Sequence, residues 1–187
     1  WTQHPVARIS KCRVGVMGLG ALGAAVATAL SNLGFTVSGW SRSMKAIEGI
    51  TTFAGKETLA EFLGQSDILI CLLPRTPETE NVLESSTLSF LPKGAAIINA
   101  ARGAMINEAD LLRALDTGHL RGAFLDVAVT EPLPESHPFW DHPKIRITPH
   151  IAAETRIEEA VDQIAENIDR INRGETPRGL VNRKTGY

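Results

Sequence analysis

The sequence predicts an α/β protein built on a doubly wound parallel sheet. Short apolar runs alternate with helical patterns along the chain, which is typical of βαβ units. A glycine-rich turn follows the first apolar run, and charged residues follow several later runs. The composition is 43% hydrophobic and 21% charged over 187 residues, as in ordinary globular domains. Together these observations favour a Rossmann fold.

The apolar runs predict about six parallel strands. The third run is apolar almost throughout, as expected of a strand that helices cover on both faces. The predicted strands are Arg13–Met17, Thr36–Trp40, Asp67–Leu73, Ala95–Asn99, Gly122–Val127 and Lys144–Thr148. Ligands of such a sheet bind beyond the carboxyl ends of its strands.

Apolar residues at helical spacing predict the helices between these strands. A short helix is predicted over Thr58–Leu63, with Thr58 and Glu61 as its capping-box pair. Asn107 is expected to cap a helix that ends at Gly118. The apolar positions of the first helix are Leu22, Val26, Leu30 and Leu33, and those of the last are Ile157, Val161, Ile164, Ile168 and Ile171.

Charge and cysteine usage exclude several classes of partner. The net charge of −2 offers no basic surface for nucleic acid or anionic membranes. The apolar runs are far shorter than the roughly 20 residues of a membrane-spanning helix. Cys12 and Cys71 adjoin apolar runs and are expected to be buried, reduced thiols, which fits a cytoplasmic protein with no metal site.

The glycine-rich turn predicts a dinucleotide site. The segment Gly18-Leu19-Gly20-Ala21-Leu22-Gly23 follows a predicted strand and opens a predicted helix, the context that gives an otherwise weak pattern its meaning. Gly18 permits the tight turn, Gly20 lets the backbone approach a pyrophosphate, and Gly23 allows close helix–strand packing. The amides of the helix start, around Ala21 and Leu22, add positive potential.

The end of the second strand favours NADPH over NADH. NAD sites place an acidic residue there to bind the ribose 2′-hydroxyl, but no Asp or Glu occurs between Lys11 and Ile47. The strand ends instead in Trp40-Ser41-Arg42-Ser43. An arginine can hold a 2′-phosphate through charge-assisted hydrogen bonds, and the serines can donate further ones. The alternative is that Arg42 is a solvated loop residue.

Three charged residues fall just after predicted strands. Arg102, Glu131 and His150 therefore lie at the sheet edge where a ligand is expected. Taken singly, each has an ordinary structural explanation: a surface ion pair, a loop charge, or a histidine satisfied beside Pro149. The remaining histidines lack such neighbours and are expected at the surface. They are His4, His119, His137 and His142.

The segments that contain Arg102, Glu131 and His150 resemble those of the D-isomer-specific 2-hydroxyacid dehydrogenase family, and within it the glyoxylate/hydroxypyruvate reductases of type A. The resemblance runs through Leu72–Thr79, Asp126–Pro132, Pro149-His150 and the closing Arg183–Tyr187. It implies that Arg102 binds the substrate carboxylate and keto oxygen, that His150 is the general acid, and that Glu131 supports His150. It also implies that Leu73, Pro74, Thr79 and Ala100 line the cofactor cleft, with Asp126 near the nicotinamide amide or acting as an indirect support.

The resemblance also implies a second domain. Residues 1–152 are expected to form the NADP-binding domain, and residues 153–187 to be the return helix and C-terminal strip of a substrate domain. Because the chain opens at Trp1 with little sequence before the first strand, we expect a fragment with weak catalysis on its own. A homodimer through the nucleotide domain is expected, with Arg75–Pro92 and the helix after Asn107 as candidate surfaces.

Alternatives from other classes remain at this point. The expected reaction is reduction of a small 2-ketoacid, glyoxylate or hydroxypyruvate, to glycolate or D-glycerate by NADPH. A nucleotide-sensing corepressor of similar fold keeps the same Arg, Glu and His, although it normally has the acidic residue missing here. The β-hydroxyacid dehydrogenases share a glycine-rich turn but use a lysine, whereas this chain offers Pro149-His150.

Overall fold

A seven-stranded, wholly parallel sheet forms the centre of the protein. The computed structural model describes residues 8–181. Its strand order is β3-β2-β1-β4-β5-β6-β7, and every neighbouring pair is parallel. The strands are β1 (Arg13–Met17), β2 (Thr36–Ser41), β3 (Thr51–Ala54), β4 (Ile68–Cys71), β5 (Ala95–Asn99), β6 (Leu120–Leu125) and β7 (Ile145–Ile147). The predicted doubly wound α/β class is confirmed.

Helices lie between the strands along the chain, and a further helix follows the last strand. They are α1 (Ala21–Asn32), α2 (Leu59–Gly64), α3 (Ser85–Leu88), α4 (Glu108–Asp116) and α5 (Ile157–Asn172). Short 3₁₀ turns cover Ile9–Lys11, Lys56–Thr58 and Gly103–Met105. As predicted, the Asn107 side chain caps α4 by accepting a hydrogen bond from the Asp110 N–H at 3.1 Å.

Two sequence predictions about these elements are wrong. The edge strand β3 was not predicted; it pairs with β2 and places Phe53 beside Trp40. The expected capping pair at Thr58 and Glu61 does not form, since the Thr58 hydroxyl donates to the Ala54 carbonyl at 2.8 Å instead. A reciprocal capping box is present at α3, between Glu84 and Thr87.

The strand order reverses between β1 and β4, which creates the switch point of the sheet. Chain segments leaving these two strands diverge to opposite sides, and a crevice opens at their carboxyl ends. The Leu72 N–H donates to the Met17 carbonyl at 2.8 Å, and the Gly18 N–H donates to the Trp40 carbonyl at the same distance. The ends of β1, β2 and β4 are thereby tied together under the crevice.

Two clusters of buried apolar side chains stabilise the sheet. The larger one includes Met17, Phe62, Leu69 and Ile97, all fully buried. The smaller one lies between the first strands and α1, and contains Val16, Leu19, Ala27, Val37 and Ile50. Because removal of this surface from water is the main driving force of folding, the sheet is a rigid base for the loops at its edge.

The apolar stripe of α5 lies open to solvent. The helix has no buried residue, and the five apolar positions predicted from its spacing are between 53% and 76% exposed. On the polar side of the helix, the Asn167 side chain exchanges two hydrogen bonds with the backbone of Arg178. A stripe of this kind is typical of a helix that packs on another element.

Candidate active and cofactor site

A cleft of roughly 900 Å³ opens at the carboxyl ends of β1, β2, β4 and β5, within the size range of small-molecule sites. Every predicted cofactor residue except Asp126 lines it. These are Gly18, Gly20, Ala21, Leu22, Gly23, Trp40, Ser41, Arg42, Ser43, Leu73, Pro74, Thr79 and Ala100. Arg102 lines the same cleft. The structure therefore brings the glycine turn, the arginine loop and one predicted catalytic residue to a single cavity.

The glycine turn has the geometry of an anion site. Gly18 has a φ of +107°, and a Cβ there would lie 2.7 Å from the Leu72 carbonyl oxygen. A Cβ on Gly23 would lie 1.7 Å from the Gly18 carbonyl oxygen, so α1 can approach β1 only with glycine at that position. A Cβ on Gly20 would meet nothing within 4 Å, and no side chain caps the first turn of α1 among the described residues. The amides of that turn are therefore donors for a phosphate.

The wall after β2 is cationic. Trp40 is buried and donates its Nε1–H to the Gly55 carbonyl at 2.9 Å. The Ser41 hydroxyl donates to the Ser43 carbonyl at 2.7 Å, which shapes the turn that presents Arg42. Lys45 also lines this part of the cleft. The wall fits a phosphate group better than the ribose hydroxyls that an acidic residue would bind.

The opposite wall is the loop after β4. The Thr79 hydroxyl donates to the Pro74 carbonyl at 2.7 Å and accepts the Thr76 N–H at 2.8 Å, so the loop is held from within. Glu78 lies on this wall. Hydrogen bonds from its own backbone N–H and from Thr76 lower the pKa of Glu78, and the charges of Lys56 and Arg42 contribute to the same effect.

His150 and Glu131 form a hydrogen-bonded pair at the sheet edge. The imidazole Nδ1 lies 2.8 Å from Glu131 Oε2, and both side chains are partly exposed. Glu131 Oε1 accepts the Ala128 N–H at 3.0 Å. The hydrogen bond from His150, followed by that from Ala128, lowers the pKa of Glu131, and the charge of Arg102 adds to the effect. The carboxylate is thereby kept ionised beside the imidazole.

Arg102 lies on the loop that follows β5. Asn99 shapes this loop, because its side chain donates to the Arg102 carbonyl at 3.0 Å and accepts the Ala101 N–H at 3.1 Å. The Arg102 guanidinium donates to the Ala101 carbonyl at 2.5 Å. A Cβ on Gly103 would lie 2.0 Å from the Ala128 carbonyl carbon, so the loops that carry Arg102 and Glu131 are in direct backbone contact.

Asp126 occupies a different place from the other predicted cofactor residues. It is buried beneath the rim, and its carboxylate accepts hydrogen bonds from the Thr148 hydroxyl and from the backbone N–H groups of Ile151 and Ala152. Burial opposes ionisation, but the hydrogen bonds from Thr148, Ala152 and Ile151 outweigh it and lower the pKa of Asp126. In this arrangement the carboxylate binds the segment that carries His150.

Comparison with known proteins then identifies the family. Residues 1–152 match the profile described as D-isomer specific 2-hydroxyacid dehydrogenase, NAD binding domain. The chain belongs to this family. It is 52% identical over 174 residues to a glyoxylate/hydroxypyruvate reductase A of Serratia proteamaculans, covering 93% of this chain and 56% of that protein. A reductase of the same name from Salmonella heidelberg is 46% identical over 187 residues, covering 100% of this chain and 60% of that protein.

Solved structures of family members have the same fold. A D-isomer specific 2-hydroxyacid dehydrogenase from Xanthobacter autotrophicus, in complex with NADPH and MES, is 44% identical with a TM-score of 0.97, covering 100% of this chain and 77% of that one. An NADPH-dependent glyoxylate/hydroxypyruvate reductase from Sinorhizobium meliloti, in complex with NADP and sulfate, is 37% identical with a TM-score of 0.96, covering 100% and 60%. The chain thus spans little more than half the length of the curated relatives it matches.

Two lysines of this family member were missed by the sequence prediction. Lys45 and Lys56 line the cleft on the same side as Arg42. Lys45 had a visible signal, because it lies three positions after Arg42 in a stretch without acidic residues. Lys56 had none, because it follows the unpredicted strand β3.

Three of the other histidines, which were expected at the surface, are partly exposed, and each lies near a polar group. His137 Nε2 lies 3.3 Å from Glu108, and His142 Nε2 lies 3.3 Å from Asp116. His119 Nε2 lies 2.9 Å from the Leu88 carbonyl. The fourth, at position 4, is outside the described residues. Within residues 8–181 no three His, Cys, Asp or Glu side chains are grouped to hold a metal, and no helix there is both long and apolar enough to cross a membrane.

Proposed function

We propose that this chain is the nucleotide-binding part of an NADPH-dependent reductase that converts small 2-ketoacids, glyoxylate and hydroxypyruvate, to glycolate and D-glycerate. The observation that carries the proposal is the 2.8 Å contact between His150 and Glu131, at the same sheet edge as the cleft that Arg102 lines. An imidazole with a carboxylate partner, next to a dinucleotide cleft, is a proton donor for a carbonyl. The names of the two reductases compared above agree with this chemistry.

NADPH is the proposed cofactor because the cleft wall after β2 is cationic. Arg42, Lys45 and Lys56 supply positive charge where an NAD site would hold a carboxylate. The glycine turn supplies backbone donors for the pyrophosphate. Structures of relatives contain NADPH or NADP at 44% and 37% identity, which supports the same choice here.

Each residue of the site has a separate role in the proposed reaction. NADPH, when bound, supplies the hydride that reaches the keto carbon. Arg102 is proposed to hold the substrate carboxylate and keto oxygen through a planar, bidentate contact. Since Nδ1 of His150 faces Glu131, Nε2 is the nitrogen proposed to give a proton to the keto oxygen. The Glu131 carboxylate stabilises the imidazolium and fixes its orientation.

We also propose that residues 153–187 belong to a second, substrate-binding domain, as the family resemblance implies. The open apolar stripe of α5 supports this, because a helix with such a stripe is expected to cover it. A homodimer through the nucleotide domain, with the segment 75–92 and α4 as contact surfaces, and a cytoplasmic location complete the proposal. Sedimentation of the chain at several concentrations tests the dimer, and a single monomeric species rejects it.

Reductase activity is tested by following NADPH absorbance with glyoxylate, hydroxypyruvate and pyruvate. The assay uses both this chain and a version extended to the length of its relatives, with NADH in parallel. We expect turnover with NADPH by the extended protein and very slow turnover by this chain, since the proposed substrate domain would help to position the substrate and to exclude water.

The same assay separates the reductase from a nucleotide-sensing module. His150→Gln is expected to lower kcat by about 10²–10⁴-fold with NADPH affinity retained, because it removes the proton donor. His142→Gln is the matched control, since that ring contacts Asp116 away from the cleft. Tight nucleotide binding without turnover of any 2-ketoacid by the extended protein contradicts the reductase and favours the sensing module.

A further inference from the structure

The backbone of His150 adopts a conformation that non-glycine residues avoid. Its φ is +56°, in the left-handed region. Such a conformation persists only where the surrounding structure holds it in place, and residues of this kind concentrate at functional sites. The contacts on either side of His150 show what holds it.

A single carboxylate binds the chain before and after His150. Asp126 Oδ1 accepts the Thr148 hydroxyl at 2.5 Å and the Ile151 N–H at 3.0 Å, and Oδ2 accepts the Ala152 N–H at 2.9 Å. The backbone continues the same connection, because the His150 N–H donates to the Asp126 carbonyl at 2.8 Å. The segment 148–152 is therefore fixed at four points to one residue at the end of β6.

Burial makes this connection rigid. Asp126 is 3% exposed, whereas the side chains of His150 and Glu131 are 46% and 40% exposed. Hydrogen bonds to an ionised group are stronger than neutral ones, and they strengthen further away from water. An exposed imidazole on a strained backbone thus gets its fixed position from the buried carboxylate rather than from its own packing.

We propose that Asp126 and Thr148 are positioning residues that hold the imidazole of His150 against Glu131 at the carboxyl edge of the sheet. This inference rests on the proposed function for its effect on turnover, but not for its effect on geometry. A carboxylate offers about four acceptor sites. Three sites of Asp126 already serve the segment that carries His150, so the carboxylate is committed mainly to positioning that segment.

The test removes one hydroxyl. Thr148→Val keeps the size and branching of the side chain but leaves Asp126 Oδ1 without that donor, and Thr148→Ser restores the hydroxyl. Thr117→Val is the matched control, because it also removes a hydroxyl that donates a hydrogen bond, here to the Arg113 carbonyl at 2.9 Å at the C-terminal end of α4. Asp126→Asn is a second, stronger change.

The first readout needs no turnover. The pKa of the Glu131 carboxyl is lowered by the contact with His150, with further contributions from the Ala128 N–H and Arg102. Carboxyl-carbon NMR titration of this chain, assigned with Glu131→Gln, should show that pKa rising in Thr148→Val toward the ordinary value of about 4.3. It should return toward the wild-type value in Thr148→Ser and remain unchanged in Thr117→Val.

The second readout is kinetic and uses the extended protein. We expect Thr148→Val to lower kcat by roughly 10- to 100-fold, because small displacements of a reacting group are costly. The dissociation constant for NADPH should stay at the wild-type value. An unchanged Glu131 titration in Thr148→Val overturns the inference, and so does equal loss in the Val and Ser variants. A parallel loss of NADPH affinity overturns it too and makes Asp126 a cofactor contact. Absence of wild-type turnover contradicts only the reductase proposal, because the titration still reports on positioning.

Discussion

Replacement of Arg42 by methionine should weaken NADPH binding and leave NADH binding unchanged. Arg42 lies on the turn after β2, beside Lys45 and Lys56, on the cationic wall of the cleft. The two cofactors differ only at the adenosine ribose, where NADPH carries a 2′-phosphate. Methionine keeps the length and much of the apolar stem of arginine, so the change removes the guanidinium and little else.

The size of the effect follows from the position of Arg42. A hydrogen bond to a charged group contributes about 1.5–3 kcal/mol. Arg42 is exposed and both lysines remain in the variant, so water and the neighbouring charges replace part of what is lost. We therefore expect a loss of about 1.5–2 kcal/mol, which is a rise of about 10- to 30-fold in the Kd for NADPH.

Fluorescence titration of this chain with NADPH and NADH measures both constants directly. Arg42→Lys should keep part of the NADPH affinity, because a point charge replaces a planar fork. Arg156→Met is the control for a change in net charge, since Arg156 pairs with Glu159 at the start of α5. If Arg42→Met changes the Kd for NADPH and NADH by the same factor, or changes neither, the 2′-phosphate assignment is wrong.

Three further predictions concern the stability and packing of the fold. Gly103→Ala should lower the free energy of unfolding by about 1–3 kcal/mol in denaturant titration, because its Cβ would collide with the Ala128 backbone. Hydrogen bonds from Arg13 lower the pKa of Asp67, so the pair stabilises the fold above about pH 4 and loses that effect as the pH falls through the folded pKa. Asp67→Asn should therefore cost about 1 kcal/mol at pH 7, with the partial exposure of the pair limiting the loss, and the difference from wild type should shrink as the pH falls through the folded pKa of Asp67. Burial raises the pKa of the Cys71 thiol to about 11, so iodoacetamide at pH 8 should modify it only after unfolding, as mass spectrometry of the peptides can determine.

The parts of the fold that the sequence predicted are those where a strong local pattern and burial agree. Strands β1 and β5 have the predicted bounds because each is a continuous apolar run closed by polar or glycine residues. Strand β3 has no such pattern: among its four residues only Phe53 is buried, and it exists through pairing with β2. The prediction of a capping pair at Thr58 was wrong for a related reason. The Thr58 hydroxyl donates to the carbonyl of Ala54, the last residue of the unpredicted strand β3.

The candidate site shows the same division. The glycine turn was predictable because glycine spacing encodes backbone geometry, and Gly18 and Gly23 are both in contacts that only glycine permits. The positions of Arg102, Glu131 and His150 after strands were predictable because parallel strands end at one edge. The hydrogen bonds of Asp126 were not, since they join residues more than twenty positions apart through loop backbone.

The cationic wall of the cleft and the sheet edge that carries His150 therefore differ in how easily their chemistry can change. The wall after β2 presents exposed side chains on a turn, and Arg42 contributes nothing to the buried core. Substitutions there can alter the choice of cofactor at little cost to folding, because surface changes seldom affect stability much. The edge that carries His150 is different: the Asp126 carboxylate and the Gly103 backbone contact both form the fold and place the charged groups. Changes to these buried contacts should alter stability together with the position of the charged groups, so variants of cofactor preference should be easier to obtain than variants that reposition the proton donor.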